Sequence, residues 1–117
     1  MTKPVVAIAG ATGFVGQALR SALKERYRIV GLTRSPVRAK ALADDPDVEC
    51  RYCDLFSFAE VNNALKVIDY AVYLVHSMMP SARLVQADFE DLDLILADNF
   101  ARGSQNNGIK QILYLGG

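Results

Sequence analysis

Gly10-Ala11-Thr12-Gly13-Phe14-Val15-Gly16 places three glycines at a spacing of three, between an apolar run and a helix-like segment. Each glycine answers a physical demand. Gly10 permits a sharp turn without Cβ strain. Gly13 lets the main chain come close to a pyrophosphate, and Gly16 lets the following helix pack tightly on the strand layer. Unpaired N–H groups and the positive end of the dipole at the helix start then hold an anion. No lysine follows Gly16, which excludes a triphosphate loop of the Walker type. The chemistry expected of Gly10, Thr12, Gly13, Phe14, Val15 and Gly16 is the binding of a dinucleotide.

Downstream, Thr33-Arg34-Ser35 stands where NAD sites carry an acid for the ribose hydroxyls, and no acid follows until Asp44. Arg34 and Arg38 lie one helical turn apart and can both reach a 2′-phosphate, with Ser35 adding a hydroxyl or an N–H. The arginine fork is bidentate and always charged. This favours NADP(H) over NAD(H). The alternative is that both arginines are solvated surface residues.

The Cys50-x-x-Cys53 pair invites a redox or metal reading. The surrounding segment looks like a strand, where residues three apart face opposite ways and sit about 10 Å apart. A disulfide tolerates about 7 Å. There is no second cysteine pair, and His76 is the single histidine, so two buried strand thiols and no metal site are expected.

These residues need a scaffold, and apolar runs alternate with helix signals along the chain. Strands are expected at Val5–Ala9, Arg28–Thr33 and residues 49–53, 70–75 and 111–115. The first four start roughly twenty residues apart, one strand plus one crossover helix. Their near-continuous apolar character suits a parallel sheet covered on both faces. Val15, Ala18, Leu19, Ala22 and Leu23 fall on one helical face. Ser35-Pro36 reads as an N-cap with proline at the first helical position. Ser57-Phe58-Ala59-Glu60 matches a capping box. A fourth helix is expected to start near Asp88, where acids crowd the first turn, and to stop at Gly108. The expected fold class is α/β, a Rossmann-like doubly wound sheet of five parallel strands in the order 3-2-1-4-5.

Composition sets limits. The 117 residues suit one domain, and 51% hydrophobic content argues against disorder. Lys+Arg and Asp+Glu tie at 13, which removes the bulk charge case for a nucleic-acid or anionic-membrane partner. No apolar run reaches the ~18 residues of a membrane span. The start of the chain lacks a signal-peptide core, so the cytoplasm is the expected compartment.

GATGFVG at 10–16 resembles the extended and atypical branches of the short-chain dehydrogenase/reductase superfamily. LTRSPVRAKAL after the second strand, CDL after the third, YAVYLVHSMM at the fourth and GIKQILYLGG at the fifth are similar to the same group. It includes NmrA-like NAD(P)-binding proteins and relatives described as nucleoside-diphosphate-sugar epimerases. The resemblance implies that Asp54, with the main chain of Leu55, meets the adenine, and that Val75, His76 and Ser77 pass the nicotinamide-side ribose. His76 could also serve as a general acid, and Asp54 could be a loop-capping carboxylate. Asn99, on the stripe of Leu92, Ile95 and Leu96, reads either as a ligand contact or as a link to a neighbouring backbone. Catalytic members carry a serine and then Tyr-x-x-x-Lys for proton transfer. This chain has no Tyr-x-x-x-Lys, and the serine would align near Gly116 or Gly117. Catalytic residues are therefore unknown, as is the small-molecule substrate. Family members run two to three times longer, so residues 1–117 are expected to form the cofactor-binding part of a longer reductase or epimerase-like oxidoreductase. A non-catalytic NADP(H) sensor or assembly module is the alternative.

Overall fold

The computed structural model describes residues 3–75 and 86–114. Nine elements alternate: β1 (Val5–Ala9), α1 (Phe14–Leu23), β2 (Arg28–Thr33), α2 (Pro36–Ala43), β3 (Val48–Tyr52), α3 (Phe58–Ala64), β4 (Tyr70–Tyr73), α4 (Gln86–Asn106) and β5 (Gln111–Tyr114). The strands form one parallel sheet in the order β3-β2-β1-β4-β5. This is the expected fold, and the central position of β1 explains its sequence: all five residues of VVAIA are buried.

Two apolar layers cover the sheet. Ala7, Ala9, Val30, Val61, Leu65, Tyr73, Leu96 and Phe100 pack on the α3 and α4 side. Val6, Ile8, Ile29, Leu42 and Val72 pack on the other, with Leu19 and Leu23 of α1 against them. The edge strands are less covered. In β3 the charged pair Arg51 Nε–Glu49 Oε2 lies at 2.6 Å, and in β5 Ile112 is half-buried while Gln111, Leu113 and Tyr114 are exposed. The expectation of strands covered on both faces therefore holds for the centre of the sheet and not for its edges.

Strand ends differ from the expected ones by a residue or two. Cys53 and Leu74 lie beyond β3 and β4, yet the Cys53 N–H still donates to Thr33 O at 3.0 Å and the Leu74 N–H to Ala9 O at 2.9 Å. Each continues the ladder by one rung. α4 begins at Gln86, two residues before the acid cluster at Asp88. It ends as expected: Gly108, at φ +68°, closes a Schellman turn in which Ile109 N–H donates to Ser104 O at 3.0 Å.

The inward face of α1 is not the expected stripe. Gly16 is buried and Leu19 and Leu23 pack on the core, while Val15, Ala18 and Ala22 are exposed. The cause is Gly16. A Cβ at this position would lie 2.3 Å from Gly10 O and 2.7 Å from the Ala11 carbonyl carbon. Backbone contact there fixes the rotation of the helix, and side-chain hydrophobicity is secondary.

Of the two thiols expected to be buried in a strand, Cys53 is buried but lies one residue past β3, and Cys50, within β3, is half-buried. Both are free; Cys53 joins the α3–α4 layer and Cys50 packs against the opposite one. Burial, with the nearby Glu60 and Asp54 carboxylates, pushes the Cys53 thiol up to about 12.

Candidate functional site

The three helices that follow β1, β2 and β3 begin differently. α2 starts on Ser35, whose Oγ accepts from Arg38 N–H at 3.3 Å, with Pro36 next in the chain. α3 starts on Ser57, whose Oγ accepts from Glu60 N–H at 3.3 Å. The return half of the expected capping box is redirected: Glu60 Oε1 accepts from Asp54 N–H at 3.4 Å. α1 starts on Gly13, with no side-chain cap and no acid in its first turn. Its first intrahelical bond is Gln17 N–H to Gly13 O at 2.9 Å, so the amides of Phe14, Val15 and Gly16 precede the ladder. A helix start without a cap is open to an external anion.

The loop before it is rigidly built. Gly10 sits at φ +94°, and a Cβ there would lie 3.1 Å from Leu74 Cβ. Gly13 N–H donates to Gly10 O at 3.2 Å, and Gln17 Nε2 donates to Thr12 O at 3.0 Å. Gly13 itself is unstrained, at φ −72° and ψ 175°. A Cβ on it would meet Gly10 O at 3.6 Å, an ordinary contact. Inside the protein, then, there is room for a side chain at 13, and that side chain would project from the exposed start of α1.

A groove of about 410 Å³ opens from this loop along the ends of β1, β2, β3 and β4. It is lined by Gly10, Thr12, Thr33, Arg34, Ser35, Arg38, Asp54, Leu55 and Val75, nine residues singled out from the sequence. Gly13, Phe14, Val15 and Gly16 are not part of its lining; Gly16 is buried under the loop and Phe14 is 91% exposed. His76 and Ser77 lie outside the described residues. Ligands of open α/β sheets bind in such a crevice, outside the carboxyl ends of the strands.

Polar groups in the groove are partly committed. Thr33 Oγ1 accepts from Ser35 N–H at 3.1 Å, so that N–H is spent within the loop. Ser35 Oγ accepts from Arg38 N–H and keeps its own proton to donate. Asp54 is held in an Asx turn, its Oδ1 accepting from Phe56 N–H at 3.0 Å, and Arg34 Nη1 lies 3.9 Å from the same oxygen. Arg34 remains 63% exposed in its side chain, which leaves this ion pair weak. Asn99, buried, donates from Nδ2 to Leu55 O at 2.9 Å. It ties α4 to the loop after β3, the backbone link that a polar residue on an apolar stripe requires.

Four groove residues escaped the sequence reading: Leu32, Cys53, Phe56 and Leu96. Leu32, Cys53 and Leu96 read as core, and they are buried. Phe56 had a signal: an aspartate two residues before it and a capping serine directly after it mark a fixed turn that presents a ring.

Among the described residues, no cluster of three His, Cys, Asp or Glu side chains is placed to hold a metal ion, and no helix is long and apolar enough to cross a membrane.

Known proteins agree with this geometry. The auxiliary protein GraX of Staphylococcus aureus is 33% identical over 115 residues, which cover 98% of this chain and 37% of GraX. A UDP-N-acetylglucosamine 4-epimerase from Bacillus cereus superposes with a TM-score of 0.72 at 28% identity, over 96% of this chain and 35% of its own. An NADPH-dependent quinone oxidoreductase from Escherichia coli, solved with NADPH bound, gives 0.72 at 25% identity, over 93% and 35%. The chain thus spans little more than a third of the length of each. A family model described as NAD(P)H-binding matches residues 10–117. That match covers nearly the whole chain, so the chain belongs to this family: an NAD(P)H-binding domain of the atypical short-chain dehydrogenase/reductase type.

Proposed function

We propose that the groove binds NADP(H) in preference to NAD(H), with the diphosphate on the amides of Phe14, Val15 and Gly16. The observation that carries this reading is the uncapped start of α1 beside a glycine whose side-chain space is vacant, while α2 and α3 are closed by serines. Gly10 and Thr12 shape the turn. Arg34, Arg38 and the Ser35 hydroxyl face the 2′-phosphate, and Thr33-Arg34-Ser35 holds no acid that would bind the ribose hydroxyls in its place. Asp54 and Leu55 meet the adenine side, and Val75 the nicotinamide side. When bound, the cofactor would supply hydride transfer.

The same reading makes this chain the cofactor part of a longer reductase or epimerase-like oxidoreductase. Its support is the share of each relative that the chain covers. A second reading, a non-catalytic NADP(H) module, draws on the name of the auxiliary protein GraX and on Gly116 and Gly117, near which the resemblance implies the serine of catalytic members. A reducing compartment such as the cytoplasm suits the two free thiols.

Titration with NADPH and NADH tests the binding, and the account expects tighter binding of NADPH. Equal affinities would remove the role given to Arg34. Turnover on a panel of carbonyl substrates by the full-length protein separates the two readings: tight NADPH without turnover favours the module.

A further inference from the structure

Just past the end of α4, one side chain latches the chain to α3. Asn107 Nδ2 donates to Asn62 O at 2.9 Å, to Asn62 Oδ1 at 3.2 Å and to Gly103 O at 2.8 Å. Asn106 Nδ2 adds a bond to Asn62 Oδ1 at 2.9 Å. Asn62 belongs to α3 and lies 45 positions from Asn107. The residue after Asn107 is Gly108, and no other asparagine of the chain precedes a glycine. Glycine has no Cβ to shield its own nitrogen, so that nitrogen can reach the side-chain carbonyl of the asparagine before it. Around Gly108 the way is open: the residue is exposed, and a Cβ added to it would meet nothing within 4 Å. What restrains the pair is hydrogen bonding. Gly108 N–H donates to Gln105 O at 3.1 Å and Asn107 N–H to Gly103 O at 3.1 Å. The two protons of the Asn107 amide are shared among three acceptors.

We infer that Asn107 is a site of spontaneous deamidation which this latch keeps closed, and that its conversion to an acid releases α4 from α3. In the reaction the Gly108 nitrogen attacks Asn107 Cγ. A C–N bond forms, the Cγ–Nδ2 bond breaks, and Nδ2 departs as ammonia with the proton that the Gly108 nitrogen gives up. Water then opens the cyclic imide by adding to one of its two carbonyl carbons, which leaves aspartate or isoaspartate. The sum is amide plus water to acid plus ammonia, and no oxidant or reductant enters. Bringing Cγ onto that nitrogen turns the side chain, and turning it breaks the bonds from Nδ2 to Asn62 and Gly103. The reaction in the folded chain therefore waits on local opening. Once made, the product cannot close the latch again. A carboxylate has no proton to donate, and it would face the three oxygens that Nδ2 serves. It would also stand at the negative end of the α4 dipole. The isoaspartate form in addition lengthens the main chain within the turn that Gly108 closes.

The test follows the mass gain of amide-to-acid exchange, peptide by peptide, in mildly alkaline buffer, for the chain folded and for the chain in urea. Asn107 should convert first among the asparagines in urea, and at least about tenfold more slowly in the folded chain. Asn62→Ala removes the Oδ1 acceptor and should raise the folded rate while leaving the rate in urea unmoved. Asn107→Asp carries the product from the start and should melt at least about 4 °C below the parent. Equal conversion of Asn107 in the folded chain and in urea would refute the latch. If other asparagines convert in urea while Asn107 stays intact, the site itself is refuted. An Asn107→Asp chain that melts with the parent would refute the release of α4.

Discussion

Replacing Gly13 with serine should move stability and binding in opposite directions. Gly13 is the N-cap of α1, at φ −72° and ψ 175°, a conformation serine adopts freely. Its Cβ would have 3.6 Å to Gly10 O, and its hydroxyl would supply the cap that α1 lacks. Exchange of glycine for serine at an N-cap is worth a few tenths of a kcal/mol. For a domain near this size that is a melting temperature unchanged or raised by about 1–2 °C. The same side chain projects from the start of α1 and occupies the amides that the diphosphate needs. Losing one charge-assisted hydrogen bond costs about 1.5–3 kcal/mol, so NADPH should bind roughly 10- to 150-fold more weakly. Gly16→Ala is the companion. Its Cβ would stand 2.3 Å from Gly10 O, 2.7 Å from Ala11 C and 2.8 Å from Ala11 Cα, all backbone. Overpacking costs about 1–3 kcal/mol, here at the upper end, against a helix-propensity gain of about 1 kcal/mol. A net loss near 2 kcal/mol lowers the melting temperature by about 8–16 °C. Thermal melts and calorimetric titration read both variants. Undiminished NADPH affinity in Gly13→Ser, with the fold intact, would refute the placement of the diphosphate on this loop.

Arg34→Ala should weaken NADPH more than NADH and so remove most of the preference, as read by paired titrations; a preference that survives would shift the 2′-phosphate role elsewhere. Val67 holds φ +61° while 83% exposed. A left-handed β-branched residue costs about 1–2 kcal/mol, part of which glycine returns as unfolded-state entropy, so Val67→Gly should raise the melting temperature by about 2–8 °C; a fall would contradict it. The Cys53 thiol, pushed up to about 12 chiefly by burial, should stay protonated at pH 8 and resist alkylation in the folded protein. Because its unfolded value is the ordinary one of 9.0, the folded state holds the proton more tightly. Stability from this group is full below pH 9 and declines as pH rises toward about 12, which urea melts across that range would show. Rapid labelling of Cys53 under native conditions would count against its burial.

Much of the fold was legible because local signals agreed with one another. The VVAIA run, the glycine loop and the two serine caps each act over a few residues, and a parallel sheet follows from their order. What the sequence hid depends on contacts between distant segments. The rotation of α1 is set by Gly16 against the Gly10 and Ala11 backbone, so the apolar stripe through Val15 and Ala22 pointed the wrong way. Glu60 turns from the cap of its own helix to the Asp54 N–H, a choice between two nearby donors that spacing cannot decide. Phe56 reads as one more apolar residue until the Asp54 turn aims it at Arg34. Asn99 was legible as a polar residue in need of a partner, though only the fold identifies that partner as Leu55 O, 44 positions away.

The central claim is that main-chain amides at the start of α1 hold a dinucleotide diphosphate. A crystal structure of the chain soaked with NADPH tests it directly. The account predicts diphosphate oxygens about 2.7–3.2 Å from the N–H groups among residues 14–16 and the 2′-phosphate beside Arg34. A nucleotide seated elsewhere, with those amides facing only solvent, would contradict it.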